Sequence, residues 1–508
     1  MNTNTEAGTN NKLLQSAPGK NDGELRRSLQ ARHMNMIAIG GAIGTGLFLL
    51  SGGSVSTAGP GGAIVAYAVM GVLVYFLMTS LGEMATLLPI SGSFETYATR
   101  FVDPALGFAL GWNYWFCWAT CVACELVAGS IIVKYWFPDI NTTLSSLLFL
   151  VVLFGLNLTS ARVYGEGEYW FASFKVAIII LFIIVGVLMI FGILGGHPPG
   201  LSNFLLSTEN GEKGPFIGGL LAIVNVFLLA GFSFSGTELV GLAAGESEKP
   251  EVNIPKAIKS VFWRILLFYI LAMIIIGFLI PFNDPNLLKS GVDQIAFSPF
   301  TMVFRKSGIA FAASLMNAVI LTAVLSAGNS GLYASTRMLY AMAKEGKAPK
   351  ALGKVNKRGV PINALYVTTL IACSAFFSSL IGDGKIYYAL VNISGITAFF
   401  AWLGIAICHY RFRKAYLAQG RKLEDLKYKA KWFPFGPIMA MILCTIVIFG
   451  ANVWIFQADT FSWFDFITNY ITIPLFVILV LGYKLVKKTR MVPLMECDFE
   501  HREYQKSE

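Results

Sequence analysis

The sequence predicts an all-α integral membrane protein with twelve transmembrane helices. Only 13% of its 508 residues are charged, whereas about a quarter of the residues in a soluble protein are charged. The mean hydropathy is +0.63. The hydrophobic residues, 55% of the chain, occur in runs that can cross a hydrocarbon core of about 30 Å, which takes about 20 helical residues.

Twelve apolar runs follow one another along the chain, and each is predicted to be one span. They lie at about 34–58, 62–88, 105–136, 143–163, 167–195, 216–243, 257–282, 297–341, 361–382, 386–410, 433–456 and 465–486. The eighth run is long enough to extend beyond the membrane. Polar tails are predicted at 1–33 and 488–508, and no cleavable signal peptide is expected, because the first apolar run starts late and is a full span.

The net charge of +10 is distributed in a way that orients the chain. Most of the lysines and arginines lie in the two tails and in the even-numbered loops, which predicts that both termini are cytoplasmic. Basic clusters such as those at 409–414 and 483–490 are then predicted to contact membrane lipid headgroups. Nucleic-acid binding is not expected.

Glycine interrupts two of the predicted spans. The stretch "IGGAIGTGLF" (39–48) has four glycines in seven positions, although each glycine costs a helix about 1 kcal/mol relative to alanine. Close helix packing through Gly40-x-x-x-Gly44 is one interpretation. The sixth span carries a matching interruption, "AGFSFSGTEL" (230–239), and paired interruptions are typical of discontinuous helices in transporters built from inverted repeats.

Broken helices would serve a chemical purpose here. The N–H groups at residues 44–46 would open a half-helix and suit a carboxylate. The carbonyl groups at residues 232–235 would end another half-helix and could accept from an ammonium group. Together the two breaks predict a site for an α-amino acid zwitterion.

Three stretches carry a resemblance to a known family. "MIAIGGAIGTGLF", "GFSFSGTELVGLAAGESEKPEVNIPKAI" and "VLSAGNSGLYASTRMLYAMA" resemble the amino acid–polyamine–organocation superfamily, and within it the bacterial amino acid permeases. "FWRILLFY" and "SPFTMVF" are similar to permeases specific for lysine. The resemblance covers about residues 25–490. It implies a leucine-transporter-type five-plus-five inverted repeat, with repeats at 34–195 and 216–413 and two extra helices within 433–487.

The resemblance also implies that the protein lies in the inner membrane of a bacterium. It implies roles for individual residues as well. The expected function is import of L-lysine by proton symport through alternating access, with no sodium site and no other cofactor. The residues implied for the substrate's carboxylate are Ala42, Gly44, Thr45 and Gly46. Those implied for its amino group, including an aromatic gate, are Phe232, Ser233, Ser235 and Gly236. The residues implied for proton coupling are Lys175, at the place of a sodium ion in relatives, and the acids Glu238 and Glu246. Tyr114 and Trp118 match aromatic positions associated with lysine.

Charged residues deep in a span are rare and usually functional, and Glu125, Lys175 and Glu238 are three clear cases. They could instead pair with one another or with backbone groups and stabilise helix packing. Burial disfavours the charged form of a lysine, which makes Lys175 a candidate proton carrier. In a regular helix Glu125 shares a face with Tyr114 and Trp118, so we expect it to meet a cationic substrate side chain.

Some alternatives stay open. Permeases for arginine, histidine or aromatic amino acids share much of the same pattern. A lysine sensor that regulates a membrane protein partner would need the same binding site, and acids in the predicted outer loops could bind that partner: Asp284, Asp293, Asp459 and Asp465. An enzyme is not expected, because the four histidines and seven cysteines form no metal-ligand or nucleophile pattern. Glu83 and Arg100, which flank the second loop, are expected at the membrane interface, and the chain is expected to be a monomer or a weak oligomer.

Overall fold

The protein is described here by a computed structural model. The described residues are 32–33, 36, 43–90, 92–159, 161–208, 211–287, 298–308, 311–458 and 460–500. They form α-helices with a few 3-10 and π turns. In this part of the chain the extended structure amounts to one isolated bridge, between Ser207 and Lys213.

From Thr45 onward, the described residues contain eighteen α-helices, numbered here in chain order. Helices α1 to α6 are Thr45–Phe48, Leu50–Leu87, Phe94–Phe101, Pro104–Val133, Thr142–Asn157 and Ala161–Ile190. Helices α7 to α12 are Gly219–Phe234, Leu239–Ala243, Pro250–Arg264, Leu271–Leu279, Pro299–Lys306 and Ala312–Lys344. Helices α13 to α18 are Ile362–Ala372, Ser378–Ile381, Asp383–Ala418, Phe435–Gly450, Trp463–Tyr470 and Thr472–Lys487.

Eight helical segments in the described residues are long and apolar enough to cross a membrane, and the bent pair α17 and α18 makes up to nine. The predicted spans that fall short are the first, the fourth and the seventh. The first is described continuously only from residue 43, the fourth has 16 residues, and a π turn at Ile265–Ile270 divides the seventh. The prediction of an all-helical, multi-span membrane fold is confirmed.

One predicted boundary is confirmed and one predicted span is wrong. The predicted gap between the first and second spans, residues 59–61, coincides with a kink in α2, where Gly59 has a φ of +73°, a conformation that glycine adopts without strain. The run predicted as one eighth span, 297–341, consists of two helices, α11 and α12. The hydroxyl of Ser298 accepts from the Phe300 amide at 3.2 Å, so α11 begins as a separate capped helix.

Helix α4 lies at the centre of the packing. It contacts both α12 and α15 along their lengths, and α2 packs against α7. The N-terminus of α4 is capped by Asp103, whose side chain accepts from the Ala105 amide at 2.9 Å. Pro104 occupies the first helical position, which proline favours. The two interrupted spans therefore meet α4, α12 and α15 in the interior.

Glu83, which was expected at the membrane interface, is paired with a cation from a distant helix. Its side chain is buried and contacts the Arg413 guanidinium, with Arg413 Nε donating at 2.7 Å. The backbone amide of Ala430 also donates to it. An ion pair between Glu83 and Arg413 therefore connects the end of α2 to the end of α15. The sequence pattern did not reveal this pair.

The described part of the C-terminal tail packs against the helices. The Val492 amide donates to the Val102 carbonyl at 2.9 Å, and the Gln419 side chain donates to the Cys497 carbonyl at 2.8 Å. The ring of Phe499 packs on that of Phe101 with centroids 5.1 Å apart. The tail thus connects the end of α3 to the end of α15.

Candidate functional site

The sixth predicted span is broken at residues 235–238. Helix α7 ends at Phe234 and α8 begins at Leu239. Between them Gly236 has a φ of +97°, which a residue with a Cβ adopts only with strain. The Gly236 amide donates to both carboxylate oxygens of Glu238, at 3.1 and 3.2 Å. Glu238, the last residue of the break, thus stabilises the unwound backbone itself.

Glu238 also connects the break to two other helices. Its carboxylate accepts from the Tyr114 hydroxyl at 3.0 Å and from the Trp402 indole nitrogen at 3.2 Å. Its side chain is 1% exposed. Tyr114 therefore directs its hydroxyl at Glu238, and its ring packs edge-on against Trp118 with centroids 6.2 Å apart.

The described part of the first span starts beside the end of α7. Residues 43 and 44 are not helical, and α1 begins at Thr45. A Cβ on Gly46 would lie 2.4 Å from the Ser233 Cα, so only glycine allows the two spans to touch here. Ala42, predicted to contact the substrate's carboxylate, lies outside the described residues.

Ser233 and Phe232 hold the end of α7 in place. The Ser233 hydroxyl donates to the Leu229 carbonyl at 2.9 Å and lies 3.0 Å from the Tyr67 hydroxyl. The Phe232 carbonyl, expected to be open for an amino group, already accepts from the Ser235 amide at 3.1 Å. A carbonyl has two lone pairs, so one acceptor position remains on it.

A small cavity lies between the two interrupted spans. Its lining residues are Gly44, Gly46, Trp118, Cys121, Glu125, Phe232, Ser235 and Ala327. The space open to water-sized molecules is about 10 Å³, close to the minimum that a single water needs. This conformation is therefore too tight for an amino acid, and binding one requires the surrounding helices to move apart.

Glu125 is the acid in the wall of this cavity. The Thr45 hydroxyl donates to its Oε1 at 3.2 Å. Its Oε2 is buried and has no hydrogen-bond partner among the described residues. An unpaired buried carboxylate oxygen is costly, and a donor from a bound molecule would satisfy it.

Lys175 lies beside an acid that sequence reasoning missed. Its Nζ is 3.6 Å from Glu168 Oε1, and the Ser326 hydroxyl donates to Glu168 Oε2 at 2.7 Å. Lys175 and Glu168 are 1% and 0% exposed. Glu168 precedes Lys175 by seven residues, which places both on one face of a helix, and this spacing is the signal that could have found the pair.

One further predicted residue is described only in its backbone, and two are not described. The backbone of Glu246 lies in a 3-10 turn, Ala244–Glu246, that follows α8, and its side chain is not described. The loop acids Asp293 and Asp459 lie outside the described residues.

The profile of the amino acid permease family matches residues 33–494. The chain belongs to this family. Amino acid permeases are transporters, and the all-helical multi-span fold agrees with this.

Three relatives of this permease are similar over nearly their whole length. The lysine-specific permease of Escherichia coli (strain K12) is 54% identical over 484 residues, 95% of this chain and 97% of the relative. The lysine-specific permease of Lactococcus lactis subsp. cremoris (strain MG1363) is 50% identical over 492 residues, 96% and 95% of the two chains. The histidine permease of the same strain is 49% identical over 481 residues, 94% and 99%.

Proposed function

We propose that this permease imports L-lysine by proton symport through alternating access. The similarity to two lysine-specific permeases supports lysine, but a histidine permease is nearly as similar. The observation that carries the proposal is Glu125, a buried acid with an open carboxylate oxygen in the wall of the central cavity. A cationic side chain supplies the donor that this oxygen lacks.

The other groups around the cavity suit the rest of the lysine molecule. The backbone amides of the first turn of α1 have no acceptor within the helix, and they suit the α-carboxylate. Ser235 and the second lone pair of the Phe232 carbonyl suit the α-amino group, and Trp118 offers a ring face to the methylene chain. A cation–π contact between the lysine side-chain ammonium and the Trp118 ring would add about 0.5–2 kcal/mol.

The proton path is proposed to use the buried pair of Lys175 and Glu168. When the transporter opens, the two side chains can separate. A buried charge without its partner is costly, so the separated side chains can become neutral by taking up or releasing a proton. The charge pattern of the loops supports cytoplasmic termini and insertion in a bacterial inner membrane. Sodium is not expected to be required.

Uptake into proteoliposomes tests the substrate. We expect labelled L-lysine to accumulate when the interior is negative, and unlabelled lysine to compete better than arginine or histidine. Glycine and glutamate should not compete, because glycine lacks a side chain to reach Glu125 and glutamate would bring a second carboxylate beside it.

Two results would contradict this function. Stronger competition by histidine than by lysine would assign the protein to the histidine permeases. Tight lysine binding without any uptake would indicate a sensor.

A further inference from the structure

Two carboxylates share one lysine between α3 and the end of α12. Lys347, which follows α12, contacts Glu95 Oε1 and donates to Glu345 Oε2 at 2.5 Å. The Thr96 hydroxyl lies 3.1 Å from Glu95 Oε2 and 2.6 Å from Glu345 Oε1. The side chain of Glu95 is 0% exposed and that of Glu345 is 14% exposed. These four residues are called the Glu95 cluster below.

The hydrogen-bond donors of the Glu95 cluster are fewer than its acceptors. An ammonium group has three donors, and the third one of Lys347 is directed at the Thr99 hydroxyl, at 2.5 Å. The described residues therefore offer the four carboxylate oxygens two ammonium protons and one threonine hydroxyl proton. Because Thr96 has a single O–H, it can donate to only one of the two carboxylate oxygens beside it. A proton on one of the carboxyl groups completes the cluster, since that group then donates to the Thr96 oxygen.

The charges of the Glu95 cluster agree with this proton count. One ammonium faces two carboxylates, so one negative charge is unbalanced where Glu95 is fully buried. Two carboxylates that share a site do not both ionise readily. The pKa of Glu95 is raised to about 7, because burial and the Glu345 carboxylate outweigh the Lys347 ammonium, which lowers it.

The groups that surround Glu95 on other helices add little charge. On α4 its neighbour is Gly111, because a Cβ there would lie 2.9 Å from Glu95 Cγ. On α15 the Cys408 thiol donates to the Phe94 carbonyl at 3.8 Å. The other basic side chains near this end of the molecule have different partners: Arg100 the Glu500 carbonyl, Arg337 the Tyr333 ring and Lys344 the Tyr340 ring. The proton balance of the cluster therefore depends on its own members.

The Glu95 cluster joins two helices that line the central cavity. Helix α3 leads into α4, which supplies Trp118 and Glu125 to the cavity wall. Lys347 follows α12, which supplies Ala327. The Trp112 indole nitrogen of α4 also donates to the Lys347 carbonyl, at 3.3 Å. In the orientation proposed above, this end of both helices faces the cytoplasm, and release of a substrate there requires the helices around the closed cavity to separate on this side.

We propose that the Glu95 cluster is a lock on the cytoplasmic side of the permease and that acidification of the cytoplasm strengthens it. This inference rests on the proton-coupled transport proposed above. With its proton, the cluster is neutral and holds α3 to the end of α12. Without the proton, the two carboxylates repel each other and the contact weakens. Import of lysine together with protons acidifies the cytoplasm, so the lock would slow further import.

The pH range of the lock follows from the change at Glu95 when the lock opens. In the open lock Glu95 is hydrated, and its pKa returns to its ordinary value of about 4.5. The closed lock is therefore most stable below that pH. It loses stability by up to about tenfold per pH unit as the pH rises, and the loss levels off above about pH 7.

Hydrogen–deuterium exchange of α3 in the purified full-length protein tests the lock directly. The protection factor, corrected for the intrinsic effect of pH on exchange, measures how often α3 separates from the end of α12. We expect the protection of residues 94–101 to be about fivefold higher at pH 6 than at pH 7. Between pH 7 and pH 8 it should change by less than about twofold.

Two variants remove the requirement for the proton. In Glu345→Gln the amide supplies the missing donor and leaves Glu95 paired with Lys347 alone, so protection should not depend on pH between pH 6 and pH 8. Glu95→Gln should have the same effect from the buried side, and it keeps the proposal testable if the first variant perturbs folding. Glu424→Gln is the matched control, because it removes an exposed carboxylate from the loop after α15 and should keep the pH dependence of the wild type. The same pH dependence in all four proteins would overturn the lock.

Lysine exchange in proteoliposomes, with the same pH on both sides, separates this inference from the proposed function. If the wild type does not transport lysine, the proposed function fails. If it does, the ratio of the wild-type rate to the Glu345→Gln rate should fall about fivefold from pH 7 to pH 6. A constant ratio would show that the cluster does not control access to the cytoplasm.

Discussion

Glu125 is the residue on which substrate charge selection should depend. Glu125→Gln keeps the shape of the side chain and removes its charge. An ammonium held in a buried site without its carboxylate costs about 3–5 kcal/mol, so lysine binding should fall by at least a hundredfold, whereas norleucine binding should change little. Isothermal titration of both ligands checks this.

The comparison of the two ligands identifies the cause. An equal loss for lysine and norleucine would mean that Glu125 stabilises the helix bundle through Thr45. The ammonium would then have to be met elsewhere.

The Lys175–Glu168 pair allows structure and proton transfer to be separated. Lys175→Ala alone leaves Glu168 buried, 0% exposed, without this cation and should lower the melting temperature. Lys175→Ala combined with Glu168→Gln removes both charges and should recover most of the stability. Accumulation of lysine driven by a pH gradient should stay impaired in the double variant, while lysine binding is retained.

Thermal unfolding in detergent and uptake in liposomes give the two measurements. Full pH-driven accumulation in the double variant would show that the pair is structural. The proton carrier would then lie among Glu125 and Glu238.

At the scale of elements, the contact between α1 and α7 depends on the absence of one side chain. A Cβ at Gly46 would meet the Cα and amide nitrogen of Ser233 at 2.4 and 3.0 Å, and backbone atoms cannot turn aside as a side chain can. Gly46→Ala should therefore force the interrupted spans apart and abolish lysine uptake. The free energy lost when the two spans separate should far exceed the helix stability of about 1 kcal/mol that alanine adds over glycine.

Gly155→Ala is the matched control, because this glycine in α5 has no atom within 4 Å of an added Cβ. Uptake and melting temperature should stay the same or rise slightly. Retained uptake in Gly46→Ala would mean that the spans do not touch at this point during transport.

For the whole molecule, voltage and proton gradient have to be separated, because lysine is itself a cation. A membrane potential alone supplies about 2.3 kcal/mol per 100 mV for one charge, which corresponds to about 40-fold accumulation without any coupled ion. Uptake should therefore be measured with the potential held at zero and the exterior more acidic than the interior. We expect accumulation of up to about tenfold per pH unit for each coupled proton.

Replacing sodium by choline should leave this accumulation unchanged. Equilibration without accumulation under the pH gradient, together with uptake under voltage, would identify a lysine uniporter.

The sequence by itself determined the solvent and class of this protein. Apolar runs, few charges and the interrupted "AGFSFSGTEL" stretch required a helical membrane protein with a broken span, since each of these signals is local and each follows from the cost of unpaired backbone groups in hydrocarbon. The same local signals merged two helices into the eighth run, because the short capped helix α11 is as apolar as the span beside it.

The tertiary structure decided which polar groups meet. Tyr114 shares a helical face with Trp118 and Glu125, yet its hydroxyl reaches Glu238, 124 positions along the chain. Periodicity reports which face of a helix is buried, whereas the partner across that face depends on how distant helices pack, and packing brings together residues that no spacing in the sequence connects.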